Sequence, residues 1–190
     1  MNLIYNKDAI WETDNYEVVL VGTNIYCSMD NCFPFKMIHK YPYLVEADDS
    51  TPFADQRKLG KRITVEGTPI ISLLYICTNG PYRSTKLDYD ALENCLRTAN
   101  VEFKGKRVMT TLLGCSPFDG NGDKDKVLKI IEQSTPDLDL DIYVYEQKYK
   151  TKERKELLLK HGLQFRRCPR HKYAEMMSKQ KELLKKNYLL

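Results

Sequence analysis

Apolar positions along this chain fall into short blocks whose period alternates between that of a strand and that of a helix. Residues 2–6 (NLIYN) and 17–23 (EVVLVGT) are β-branched or aromatic runs. The second is nearly all apolar, the pattern of a strand buried on both faces. Residues 32–41 place Phe35, Ile38 and His39 at helical spacing, with Pro34 tolerable in a first turn and Pro42 as the stop. Residues 43–60 are polar and interrupted by proline, and predict a long surface excursion. Residues 61–65 (KRITV) and 69–77 (PIISLLYIC) predict two strands joined as a hairpin across Glu66-Gly67. Asn79-Gly80-Pro81 then stops the chain. Thr85-x-x-Asp88 has the form of a capping box, and Tyr89, Leu92, Cys95, Leu96 and Ala99 follow as one apolar stripe. Gly105 precedes a predicted strand at 107–113, and residues 114–122 form a glycine-containing loop. A helix is predicted over 124–133 with Val127, Ile130 and Ile131 inward, and a last strand over 140–145. Residues 151–161 and 172–189 read as helical and heavily basic.

Strands and helices alternate from residue 60 to 145, which predicts an α/β sandwich with a mixed central sheet. Charge divides the 190 residues in two. Residues 1–147 carry 16 Lys/Arg against 22 Asp/Glu, a net of −6, whereas residues 148–190 carry 14 against 4, a net of +10. A body at 1–147 and a basic helical C-terminal extension at 148–190 are therefore expected. This asymmetry excludes a uniformly basic nucleic-acid coat, and ordinary apolar content excludes a collagenous or disordered chain. No apolar run approaches the roughly 18 residues of a membrane span, and MNLIYNKD lacks a signal-peptide core. A cytoplasmic protein with no membrane partner is expected, and its six cysteines should be reduced.

Two metal-like patterns fail on their chemistry. Cys168-x-x-His171 has only His161 nearby, short of the four ligands of a structural zinc site. Asp119-Gly-Asn121-Gly-Asp123 begins as a calcium loop does, but Lys124 stands where the turn wants glycine and Ile130 where the bidentate glutamate belongs. No metal and no cofactor is expected. Cys77 and Cys95, on apolar faces, are expected in the core.

In α/β sheets, ligands bind beyond the carboxyl ends of the strands, where backbone amides are free. Three segments qualify: residues 23–31, the run Thr78-Asn79-Gly80, and residues 114–120 (GCSPFDG). The third, a strand, a small-residue loop and then a helix, is the arrangement that collects amides around phosphate. It is neither a Walker loop nor a dinucleotide fingerprint.

Taken in order, residues 1–147 resemble a macrodomain, the ADP-ribose-binding fold, which implies the three-layer α/β/α form of the sandwich. The likeness is nearest to the branch holding terminal ADP-ribose protein glycohydrolases and ADP-ribose-1″-phosphate phosphatases. LIYNKDAI is similar to that family's opening, which implies that Asp8 and its neighbour Ala9 meet adenine. VVLVGTN resembles the strand ending in a ribose-side asparagine, here Asn24, with Asp30 and Asn31 in the loop that follows. Thr78 and Asn79 fall in the loop after the fourth strand. LLGCSPFDG resembles the second phosphate loop, which implies ligand contacts from Gly114, Cys115, Ser116, Pro117, Phe118 and Gly120. DIYVYE resembles the last strand, with Tyr145 flanking adenine. Two departures stand out. The first loop has no glycine run, and Thr78-Asn79-Gly80 holds no lysine where the glycohydrolase branch has its nucleophile.

The resemblance implies an ADP-ribose ligand, or a related adenine nucleotide, and leaves three functions open. One is hydrolysis of ADP-ribose-1″-phosphate or of an ADP-ribosyl ester on protein, with Asp119 as general base. A second is a reader without turnover, which the glycine-free first loop favours. A third lets the basic extension contact nucleic acid or an acidic partner. Lysine- and tyrosine-rich composition would suit a bacteriophage source. A side chain at Gly114 is expected to intrude on the ligand at little cost to the fold, provided the local dihedrals admit it.

Overall fold

The β-branched runs pair as their periodicity predicts. The computed structural model describes residues 1–5, 9–29, 32–78, 86–116 and 120–144. The elements are β1 (Asn2–Ile4), α1 (Ala9–Glu12), β2 (Val18–Asn24), α2 (Cys32–Lys40), α3 (Tyr43–Asp49), β3 (Arg62–Val65), β4 (Ile70–Cys77), α4 (Tyr89–Glu102), β5 (Arg107–Thr111), α5 (Lys124–Ser134) and β6 (Asp139–Tyr143). Six strands form one sheet in the order β1-β6-β5-β2-β4-β3. Only the edge strand β3 runs antiparallel, paired with β4 as the hairpin motif predicts.

Alternation along each strand sends side chains to two separate cores. Val18 and Leu20 of β2, Leu74 and Ile76 of β4 and Val108 of β5 pack with Leu92, Cys95 and Leu96 of α4 and Val127 and Ile131 of α5. On the opposite face, Val19, Val21, Ile71 and Leu73 pack with Ile10 of α1, Phe33 and Met37 of α2 and Leu44 of α3. The result is the expected three-layer sandwich with a mixed sheet. Cys77 and Cys95 are core residues, as read from sequence. Burial pushes the Cys95 thiol up to about 12, which marks it as inert packing. Among the described residues no helix is long and apolar enough to cross a membrane.

Several boundaries differ from the sequence reading. Helix α4 opens at Tyr89, capped by Asp88, whose carboxylate accepts from the Ala91 amide at 2.9 Å. Thr85, its proposed partner, lies outside the described residues. Helix α1 has no apolar period of its own at four residues. It is pinned instead by Lys40 of α2, whose Nζ donates to Ile10 O at 3.2 Å and Thr13 Oγ1 at 2.7 Å.

The largest departure is at 43–60, expected as a surface excursion. It forms α3 and a 3-10 turn at Gln56–Lys58, and it buries Leu44, Asp48 and Lys58. A polar composition concealed this because the buried polar groups meet partners that are distant in sequence. Tyr75 of β4 donates its hydroxyl to Asp48 Oδ1 at 2.8 Å. Lys58 Nζ donates to Cys27 Sγ at 3.1 Å and lies 4.1 Å from the centre of the Tyr75 ring. Burial outweighs these partners for Asp48 and raises its carboxyl to about 6.

The folded protein thus holds the Asp48 proton more tightly than the unfolded chain does. Asp48 is expected to make stability fall as pH rises from the ordinary carboxylate value, about 4, to about 6, and to add no further slope above that. Denaturant titrations at a series of pH values should show that Asp48→Asn removes this decline, on the order of 1–3 kcal/mol across the window.

Candidate functional site

Strands β2 and β5 are neighbours whose onward connections depart to opposite sides. The chain leaves β2 through α2 and α3 toward β3 and β4, and leaves β5 through α5 toward β6. Such a switch point opens a crevice beyond the carboxyl ends of the strands. Here the opening is visible in the ladder. β2 and β5 pair only at Val18–Val108 and Val19–Met109, while β2 continues along β4 as far as Asn24 and Cys77. Past that point Thr110 reaches Leu20 O with its hydroxyl, at 3.0 Å, in place of a ladder bond.

Three loops are drawn together at this end. Cys32 Sγ, at the start of α2, donates to Ser116 Oγ in the loop after β5 at 3.0 Å. Cys77, at the end of β4, bridges to Leu87, and Leu87 donates its amide to Gly120 O at 3.0 Å. The Thr78 amide donates to Lys86 O at 3.2 Å. The loop after β5 closes on itself through a Ser116–Gly120 bridge and through Gly122 N to Gly114 O at 2.8 Å. Asp123 then caps α5, accepting from the Lys126 amide at 2.8 Å, so the calcium-like acidic run serves as a helix start.

Of the residues read from sequence, Asn24, Thr78, Gly114, Cys115, Ser116 and Gly120 lie at this end of the sheet. Asn24 is committed to its own loop. Its Oδ1 accepts from Tyr26 N at 2.9 Å and Ser28 N at 3.4 Å, and its Nδ2 donates to Ser28 O at 2.7 Å. One amide proton is left for a ligand. The Cys115 amide is spent on Leu112 O at 3.2 Å. Ala9 opens α1 and is fully buried, backbone included. Asp8, Asp30, Asn31, Asn79, Pro117, Phe118, Asp119 and Tyr145 lie outside the described residues, as does the whole extension 148–190.

The role expected of Gly114 changes. Its φ of +66° is one that side chains rarely adopt, and a Cβ there would lie 2.7 Å from Leu87 Cδ1. The dihedrals do not admit a β-branched residue, so glycine is required by the loop's own packing before any ligand arrives. Gly120 is tighter still, at φ +104°, with its Cβ position 2.6 Å from the Gly114 carbonyl oxygen. Cys32 and Leu87 are site-forming residues that the sequence reading did not single out. Each acts through one tertiary contact, and no local motif marks them.

No protein-family model matches the sequence, and no curated protein does. Solved structures do match by fold. The macrodomain of Thermus aquaticus DarG superposes with a TM-score of 0.59 at 14% identity, over 76% of this chain and 97% of that one. The macrodomain of Mycobacterium tuberculosis DarG gives 0.55 at 21% identity, over 74% and 96%. Thermosipho africanus DarTG, solved in complex with ADP-ribose, gives 0.61 at 14% identity, over 81% of this chain and 44% of that one. The described residues therefore have a macrodomain-like fold.

Gly120→Ala is expected to destabilise the protein by about 1–3 kcal/mol, measured by denaturant unfolding. Ala at Gly105, where φ is +76° but nothing lies within 4 Å, should cost less, and the difference isolates the contact with Gly114.

Proposed function

We propose that this protein binds ADP-ribose, or a closely related adenine nucleotide, in the crevice at the β2–β5 switch point. The observation that carries the reading is the convergence of three carboxyl-end loops, joined by the Cys32–Ser116 and Leu87–Gly120 hydrogen bonds. It occurs in a fold shared with Thermosipho africanus DarTG, which was solved in complex with ADP-ribose. Backbone is the main recognition element. The loop after β5 carries two positive-φ glycines, Gly114 and Gly120, which bring main chain where a diphosphate needs it. Asp8 is the residue proposed to select adenine, by accepting from the exocyclic amine, and Tyr145 the aromatic proposed to flank the ring.

Binding without turnover is the reading that the described residues favour. Thr78 stands in the loop after β4, where the resemblance would place a nucleophilic lysine, and Asn24 spends most of its amide on its own loop. Hydrolysis rests on Asp119 alone. As a general base it would take a proton from a water attacking the distal ribose or its phosphate. An ADP-ribosylated protein is the natural macromolecular partner on either reading.

Calorimetric titration with ADP-ribose tests the proposal. Saturable binding is expected, and Asp8→Ala should weaken it more than tenfold, the loss of one charge-assisted hydrogen bond worth about 1.5–3 kcal/mol. Unchanged affinity in that variant would remove Asp8 from the site. Incubation with ADP-ribose-1″-phosphate or an ADP-ribosylated protein, followed by product analysis, is expected to show no turnover. If product does form, Asp119→Asn should abolish it with binding near normal.

A further inference from the structure

Behind the loop that follows β2, a group of reactive side chains meets with no part in the ligand crevice. Lys58 is only 6% exposed and Asp48 only 1%. Lys58 Nζ contacts Cys27 Sγ at 3.1 Å, Ile25 O at 3.4 Å and the Tyr75 ring face, so the nearest group to this buried amine is a sulfur and not a carboxylate. Cys27 is half-buried and is held at φ +52°. Its sulfur also lies 3.3 Å from Asp48 O and 3.5 Å from Thr51 Oγ1. Asp48 Oδ2 is buried with no hydrogen-bond partner.

A cysteine oxidised to sulfenic acid condenses with a thiol to a disulfide or with a backbone nitrogen to a sulfenamide, and an uncharged amine held against the sulfur is a nucleophile of the same kind. The side chains that touch Cys27 include no second thiol, and the one side-chain nitrogen among them is Lys58 Nζ at 3.1 Å. We propose that Cys27 and Lys58 form an oxidative modification site, in which a hydroperoxide oxidises Cys27 and Lys58 captures the product as a covalent sulfur–nitrogen link. The sulfur attacks the peroxide O–O bond and gains a hydroxyl, and the other oxygen leaves as water, or as an alcohol from an organic hydroperoxide. The lysine ammonium first gives one proton to solvent water. The freed Nζ lone pair then attacks sulfur, and the hydroxyl departs with a second nitrogen-bound hydrogen as water. Sulfur loses two electrons and the hydroperoxide gains two. Burial and the nearby Asp48 charge raise the Cys27 thiol, while hydrogen bonds with Thr51 and Lys58 oppose that rise; the link needs hydroperoxide because sulfur must lose two electrons.

Cys27 lies three residues beyond Asn24, in the loop that leaves β2, and Lys58 sits in the 3-10 turn that precedes β3. The link would fasten the former to the latter. An effect on ADP-ribose affinity is the expected consequence, and that part rests on the function proposed above; the link itself does not.

The test treats the intact protein with excess hydrogen peroxide, blocks remaining thiols, digests it and maps peptides by mass spectrometry. Expected is a joined pair of peptides carrying Cys27 and Lys58, lighter than their sum by two hydrogens and released by dithiothreitol. Lys58→Arg keeps the cation but lacks the nucleophilic amine, and should instead carry Cys27 on to sulfinic acid with no joined pair. Recovery of wild-type Cys27 as sulfinic acid beside unmodified Lys58, Cys27 left untouched, or a joined pair retaining one oxygen would each overturn the proposal. A linked protein that binds ADP-ribose as tightly as the reduced one keeps the link and removes its effect on the crevice. Failure of both forms to bind ADP-ribose overturns only the ligand assignment.

Discussion

Two paired positions, Val18–Val108 and Val19–Met109, hold β2 to β5, and the crevice proposed as the ligand site depends on the pairing ending there. A parallel ladder continued to the ends of both strands would bring the two following loops against each other and fill the space between them. Instead β2 stays with β4 to its last residue and β5 stays with β6 through Thr111–Tyr143. The sheet therefore parts along its middle while both halves remain fully paired. Where the ladder stops, Thr110 supplies a hydroxyl to Leu20 O, so that buried carbonyl keeps a partner.

With the seam open, the loops around it must be held by contacts other than strand pairing. Most of those contacts are backbone to backbone, and they consume the amides of Leu87, Cys115, Asn121 and Gly122. Glycine at 114, 120 and 122 makes this possible, since Leu87 or the Gly114 carbonyl occupies the space a Cβ would take at each. A site shaped by main chain in this way is pre-organised, which lowers the entropy lost when a ligand binds. It is also unforgiving, because a side chain added to the loop disturbs the fold and the site together.

The buried group around Lys58 follows a different logic. Lys58 and Asp48 replace apolar packing with polar atoms at a site where Asp48 Oδ2 remains unpartnered, and burial of such a group lowers stability. What the arrangement provides is position. It ties the turn at Gln56–Lys58 and the end of α3 to β4 and to the loop leaving β2 through directional bonds, which apolar contacts would not specify.

Sequence pattern alone determined the elements whose burial is regular. The runs at 17–23 and 69–77, the stripe from Tyr89 to Ala99 and the inward Val127 and Ile131 each repeat with the period of the structure they form, because one sheet or one helix face is buried along their whole length. Strand and helix order followed from these, and with it an α/β sandwich with a mixed sheet. Local pattern was silent wherever one residue's burial depends on a single distant partner. Residues 43–60 are polar in sequence yet carry a buried aspartate and a buried lysine, because Tyr75 and Cys27 reach them from β4 and from the loop after β2. Asn24 looked available for a ribose, and the backbone of Tyr26 and Ser28 took most of its amide. Gly114 was legible as a glycine-dependent position, but the reason for it, Leu87 packed against its α-carbon, comes from across the sheet. Periodicity records the average environment of a face. Which atoms meet at one point on it is decided only when the chain has closed, because those partners are far apart in sequence and no local pattern ties one to the other.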